Sequence, residues 1–228
     1  MRILAVDGSS GSTSLAVVDD GVLVAAKTVE NAAGLTRSLL AALDTLLREA
    51  GAPLATFDAL ALGRGPGSFT GLRASFATMR GVQVGAGLPL WGAGSLRALA
   101  DASAPGARVL ACVDARRDEL FAEGHDAARG PAWFSLRHGR PEALGRDAAA
   151  SIEGPVVIAG DLPPPLLQRL VACAPDRFVV AAAPGCLALE IARAVLRGDA
   201  VRDDGTLEPL YVRPPDAKLP AAVAGLPR

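Results

Sequence analysis

The chain opens on an apolar run, Ile3-Leu4-Ala5-Val6, that stops at Asp7, the pattern of a short buried strand. Residues 13–29 read as two more strands around Asp19-Asp20-Gly21, where the glycine supplies the positive φ of a tight hairpin. The period then changes from two to between three and four. Leu35, Leu39, Leu43, Leu46, Leu47 and Ala50 fall at helical spacing, and Gly51 and Pro53 end the run. A fourth strand is expected over 57–63 and a second helix over 71–86, with Leu72, Phe76 and Met79 as its stripe.

Between that strand and that helix lies GRGPGSFTGLRASF, residues 63–76. Such a loop can cradle a phosphate, cap a helix or hold one fixed shape. The lysine and hydroxyl residue that complete a Walker A loop are absent. Thr70 stands where an N-cap is expected. Behind it, Gly71, Ala74, Ser75, Ala77, Gly81 and Gly85 keep the helix thin enough for close approach to another backbone. Arg73 and Arg80 share nearly one face, which fits either phosphate binding or a solvated surface.

Farther along, 108–115 and 118–126 suggest a hairpin around Arg116-Arg117. Residues 155–161 and 177–182 read as strands, and 163–173 and 185–197 as helices. No internal sequence repeat is visible. The expected organisation is a lobe over 1–100, a smaller lobe over 101–215 and a tail over 216–228.

The 228 residues carry 23 basic and 24 acidic side chains, which excludes a strongly basic nucleic-acid binder and makes any RNA contact local or borrowed. Cys112, Cys173 and Cys186 are unpaired in spacing, which argues against a disulfide framework or structural zinc and suits a reducing compartment. The uncharged run between Arg80 and Arg97 is broken by five glycines and Pro89 and is too short for a membrane span, so a cytoplasmic protein is expected.

Two histidines, His125 and His138, leave no HxxxH or HExxH pair for a metal site, and both are expected at the surface. No GxSxG elbow accompanies them, so a protease or other nucleophilic hydrolase has no constellation to work with. Asp7-Gly8-Ser9 has two readings: a nucleotide loop whose acid helps to hold Mg²⁺, or a polar strand end followed by a Gly/Ser turn. The leucine stripe is likewise core by default. Two adjacent helices, one leucine-rich and one rich in glycine and alanine, could also each present a second apolar side to a partner.

Five segments in order, ILAVD, LALGRGPGSFTGLR (60–73), LPLWGAGSL (88–96), VDARRDELF (113–121) and LYVRPP (210–215), resemble the TsaB (YeaZ) family over nearly the whole chain. The resemblance implies an α/β fold of two actin-like (ASKHA, ribonuclease H-like) lobes with mixed sheets flanked by helices. It implies a cytoplasmic, non-catalytic partner of the paralogous enzyme TsaD. With TsaE joining, that complex places threonylcarbamoyl on adenosine beside the anticodon of ANN-decoding tRNAs. It implies no metal and no cofactor held by this chain alone, with ATP or ADP bound by the complex, weakly or at an interface. It implies a homodimer when TsaD is absent, and tRNA met only through the complex.

Docking is assigned by this resemblance to the two helices, with Leu35, Leu39, Leu43, Leu46, Leu72, Ala74, Ser75, Thr78 and Met79 as contacts. Gly65, Pro66, Gly67, Ser68, Thr70, Gly71 and Arg73 become a rigid loop that starts the second helix. Asp7, Gly8 and Ser9 become a vestigial nucleotide loop. The chain departs from the family pattern at Gly8, where a threonine is common, at Leu35, near which a histidine is common, and at Asp118, where a glycine is common. That last change argues against a tight positive-φ turn. The competing reading is a small ASKHA-type ATPase or kinase working from Asp7, although Gly160-Asp161 followed by three prolines makes a poor second phosphate loop.

Overall fold

The computed structural model describes residues 1–126, 130–182 and 185–213. The expected tail, 216–228, and the prolines that end the last family segment lie outside them.

Two sheets are built on one plan. In the first, β1 (Arg2–Asp7), β2 (Ser12–Asp19) and β3 (Val22–Glu30) form an antiparallel meander. α1 (Leu35–Glu49) leads to β4 (Ala59–Gly63) beside β1, and α2 (Phe69–Ala86) leads to β5 (Leu90–Ala93), both strands parallel to β1. α3 (Ser95–Ser103) then crosses to the second sheet. There β6 (Val109–Arg116), β7 (Glu119–His125) and β8 (Phe134–Gly139) repeat the meander. α4 (Pro141–Ser151), β9 (Val156–Ala159), α5 (Pro164–Val171) and β10 (Phe178–Val180) repeat the parallel half. The strand orders β3-β2-β1-β4-β5 and β8-β7-β6-β9-β10 match position for position.

The sheets do not divide the chain at one point. α6 (Leu187–Arg197) returns to pack on β1, β2, β4 and β5, and β11 (Val201–Arg202) pairs with β5. α3, which follows the first sheet, packs on β6, β7 and β9. Each lobe therefore lends its last helix to the other, and α3 and α6 meet between them.

Strand periodicity explains the layers. Leu4 and Val6 point from β1 toward α1 and α2, while Ile3 and Ala5 point toward α6. The floor beneath α6 is alanine: Ala5, Ala16, Ala59, Ala61 and Ala93 meet Ala188 and Ala192, so helix and sheet approach closely. α1 buries Leu35, Leu39, Leu43 and Leu46 on the other face, each worth about 1.5–3 kcal/mol of apolar burial. Gly34 and Gly51, both at positive φ, bound that helix.

Candidate functional site

Asp7 ends β1 with its side chain fully buried. Its Oδ1 accepts from the Ser9 amide at 3.0 Å and from Ser9 Oγ at 2.6 Å. Its Oδ2 accepts from Ser95 Oγ at 2.6 Å, and Ser95 Oγ in turn accepts from the Gly65 amide at 2.9 Å. Both carboxylate oxygens are thus engaged by the chain's own donors, in a region where a buried charge without partners would be costly.

The glycine loop lies directly on this turn. The Ser68 amide donates to the Ser9 carbonyl at 2.7 Å. A Cβ on Gly67 would sit 1.9 Å from that carbonyl oxygen, and one on Gly71 would sit 2.1 Å from the carbonyl oxygen of Gly8. A Cβ on Gly8 would reach Gly71 O and Ser75 Oγ, both at 2.5 Å. Asn31 closes the far side, donating to the Ser10 carbonyl at 2.8 Å while Thr13 Oγ1 donates to its Oδ1 at 2.6 Å. Residues 63–71 form a plug over the Asp7 turn, rather than an open cradle. The Gly65-Pro66 peptide is cis.

The helix start differs from the sequence expectation. Ser68, not Thr70, is the N-cap: its hydroxyl accepts from the Gly71 amide at 3.2 Å. The helix begins two residues early because Ser68 takes the non-helical conformation of a cap, which leaves Thr70 inside the first turn. Arg80 is not on a solvated face either. It donates to Asp203 Oδ2 at 3.2 Å and to the Leu207 carbonyl at 2.6 Å, clasping the C-terminal segment. Arg73 is exposed, its guanidinium 5.1 Å from the centre of the Phe69 ring.

The two-helix surface needs a larger correction. Leu35, Leu39, Leu43, Leu46, Leu72, Ala74, Ser75, Thr78 and Met79 are all buried within this chain, so they hold the helices to the sheet and cannot also meet a partner freely. The outward side is made by other residues. A groove of about 510 Å³ runs between α1 and α2, lined by Thr36, Leu40, Ala77, Gly81, Val82 and Gly85, with Thr78 at its floor. Leu40 is 51% exposed and Val84 84% exposed beside it. Leu40 could have been found in the sequence as an apolar residue off the main stripe.

A second cavity, about 330 Å³, lies between the lobes, bordered by Ser9, Ser10, Ser68, Asp114, Arg116 and Asp161. Asp114 accepts from the Arg116 amide at 2.7 Å and pairs with its guanidinium at 3.3 Å. Here another expectation fails: Arg116, Arg117 and Asp118 all take positive φ. The hairpin demands that hand, and Asp114 ties its first residue in place. His125 is also buried rather than superficial, 3.2 Å from Glu123, and His138 contacts Glu119 at 2.7 Å. Burial pushes the Cys112 thiol up to about 12, which makes it an inert core residue. Among the described residues no cluster of three metal-ligating side chains occurs, and no helix is long and apolar enough to cross a membrane.

Taken together, the duplicated meander, the exchanged helices and the interlobe cavity define a two-lobed α/β protein with mixed sheets flanked by helices. The activator of 2-hydroxyisocaproyl-CoA dehydratase from Clostridium difficile shares this fold, with a TM-score of 0.52 at 10% identity, covering 87% of this chain and 96% of that one. YeaZ from Pseudomonas aeruginosa superposes with a TM-score of 0.71 at 26% identity, covering 92% of this chain and 99% of its own.

A family model described as "TsaD: tRNA N6-adenosine threonylcarbamoyltransferase" matches residues 30–129. The Escherichia coli "tRNA threonylcarbamoyladenosine biosynthesis protein TsaB" is 38% identical over 53% of this chain and 53% of its own length, so the chain matches about half of that curated relative. An uncharacterized Mycobacterium bovis protein is 32% identical over 97% of this chain and 95% of its own. The chain belongs to the TsaB/YeaZ family.

Proposed function

We propose that this chain is the non-catalytic partner subunit of a TsaD-type threonylcarbamoyltransferase. In that complex the threonylcarbamoyl group passes to adenosine beside the anticodon of ANN-decoding tRNAs. The observation that carries the reading is the Asp7 carboxylate, which is spent on Ser9 and Ser95 beneath the glycine plug. An acid fully buried, with both oxygens engaged by the chain's own donors, is not presented to a metal-bound phosphate. The name of the Escherichia coli relative supports the pathway.

Docking falls to the outward groove between α1 and α2. Its glycines and alanines admit a close helix, and Leu40 and Val84 stand beside it as projecting apolar groups. The same face, carrying both recess and projection, would pair two copies when TsaD is absent. TsaE joins the assembled pair. The docking lobe is residues 1–100 completed by α6 and β11.

The test is light scattering on a size-exclusion column, with this protein alone and mixed with TsaD of its own organism. A mixed complex is expected, lost on Leu40→Glu or Gly81→Arg while circular dichroism stays native. Absence of any complex at micromolar concentrations would favour the rival ATPase, whose ATP turnover would have to vanish on Asp7→Ala.

A further inference from the structure

We infer that Phe69, Tyr211 and Arg73 form a landing site for an unpaired RNA base, so that this chain touches RNA directly. The site lies outside the docking groove and does not depend on it. Phe69 and Tyr211 are 57% and 53% exposed, the two exposed aromatic side chains among the described residues. One opens α2 and the other lies on the C-terminal segment, yet their ring centres are 5.9 Å apart, tilted by 44°. Arg73, one turn along α2, lays its guanidinium 5.1 Å from the Phe69 ring centre.

The segment that delivers Tyr211 is firmly held. Asp203 receives Arg80 and Gln83, each at 3.2 Å. The Leu210 amide donates to the Arg64 carbonyl at 2.8 Å, and Arg64 Nε donates to the Glu208 carbonyl at 3.1 Å. Beyond Tyr211, Arg213 reaches toward Glu119 at 3.8 Å. The aromatic pair is therefore presented in place, with little ordering left to be done on binding.

Charge selects the ligand. Arg80, Arg97, Arg116 and Arg213 each face a carboxylate. Arg73, beside the Phe69 ring, and Arg64, whose carbonyl anchors Leu210, have no carboxylate partner among the described residues. In a chain with a net charge of −1, this leaves the Arg73 guanidinium with no carboxylate partner beside exposed π faces. A planar, anionic ligand answers both features, and a nucleotide of single-stranded RNA is that ligand: its base stacks while its phosphate meets guanidinium. A purely apolar protein contact would leave both cations uncompensated. This departs from the expectation that tRNA is met only through the complex.

The full-length chain is titrated into a fluorescein-labelled, mixed-sequence single-stranded RNA, and anisotropy is read over a salt series. Binding is expected, weakened at least about fivefold by Phe69→Ala and by Tyr211→Ala. It should be retained by Tyr211→Phe, which keeps the ring and the segment. Arg73→Ala should lower the salt slope by about one. Val179→Ser, at an exposed position on β10 of the second sheet, should leave RNA binding unchanged. No anisotropy change up to about 100 µM chain, the weak end of non-specific binding, would overturn the inference. So would binding indifferent to Phe69→Ala and Tyr211→Ala, or loss of TsaD docking by those variants without any RNA affinity, which would make the patch a protein contact.

Discussion

Asp7 and Asp114 hold equivalent places in the two halves of the fold. Asp7 ends β1 and Asp114 lies two residues before the end of β6, and each carboxylate accepts the backbone amide two residues on, from Ser9 at 3.0 Å and from Arg116 at 2.7 Å. Their fates differ. Asp7 is sealed under the glycine loop, whereas Asp114 borders the interlobe cavity and pairs with Arg116.

If Asp7 is a structural post, its loss should act through stability. Asp7→Ala strands the Ser9 amide and the Ser9 and Ser95 hydroxyls in the interior, at about 1–3 kcal/mol for each group left unpaired. Chemical denaturation should show a loss of about 3 kcal/mol or more, with Asp7→Asn losing less. A stable Asp7→Ala protein would refute the post.

Gly67→Ala should be nearly as damaging, although it adds only a methyl group. That methyl would meet the Ser9 carbonyl oxygen at 1.9 Å, so the plug must lift. A cost of about 2 kcal/mol or more is expected in urea titration. Gly81→Ala, whose methyl meets nothing within 4 Å, is the control and should not destabilise the helix.

Asp203 should hold the C-terminal segment as a latch. Its side chain, 1% exposed, receives Arg80, Gln83 and the amides of Gly205 and Leu207. Asp203→Ala should speed amide exchange across 203–211 by tenfold or more, in the range of one to two lost buried hydrogen bonds. Exchange in β1 and β6 should be unaffected by comparison. Uniform acceleration everywhere would point to global destabilisation instead.

Acid sensitivity has one identifiable source in the second lobe. The Arg169 hydrogen bond holds the Glu142 carboxyl down, from its ordinary value to about 2. A depressed carboxyl stabilises the fold above its unfolded value, and that stabilisation disappears as pH falls from about 4.5 to about 2. The melting temperature of the wild type should therefore fall more steeply through this window than that of Glu142→Gln. The difference should be small, because the pair is only part-buried and largely screened by solvent.

Much of the first half was legible from period alone: β1 to β4, α1 and α2 fall where alternation or helical spacing puts them. β5 and α4 escaped for local reasons. Leu90–Ala93 is four residues with a glycine inside, and α4 is built of alanines with no stripe to follow. The duplication escaped because topology is kept by backbone pairing while the side chains differ, as Ile3-Leu4-Ala5-Val6 and Leu110-Ala111-Cys112-Val113 illustrate.

At the candidate site, spacing located the helices and the buried stripe of α1, but the stripe itself was assigned to the partner in place of the residues off it. Which face of α1 is buried depends on what the sheet offers, so Leu39 and Leu40 are indistinguishable by type yet opposite in burial. The glycine loop was recognisable, but its neighbour across the chain was not. Nothing near Ser95 announces that its hydroxyl reaches Asp7. Likewise Asp118 tolerates positive φ because the hairpin around it leaves no alternative.

Gly8, Gly67 and Gly71 also limit how this sequence can drift. The atoms that exclude a side chain at Gly67 and Gly71 include backbone carbonyls on the facing loop, not merely the ends of movable groups. A crowded side chain can be trimmed by a second substitution elsewhere, but a crowded carbonyl cannot. Selection for suppressors of Gly67→Ala should thus return true revertants or distant stabilising changes, and no partner swap at Ser9.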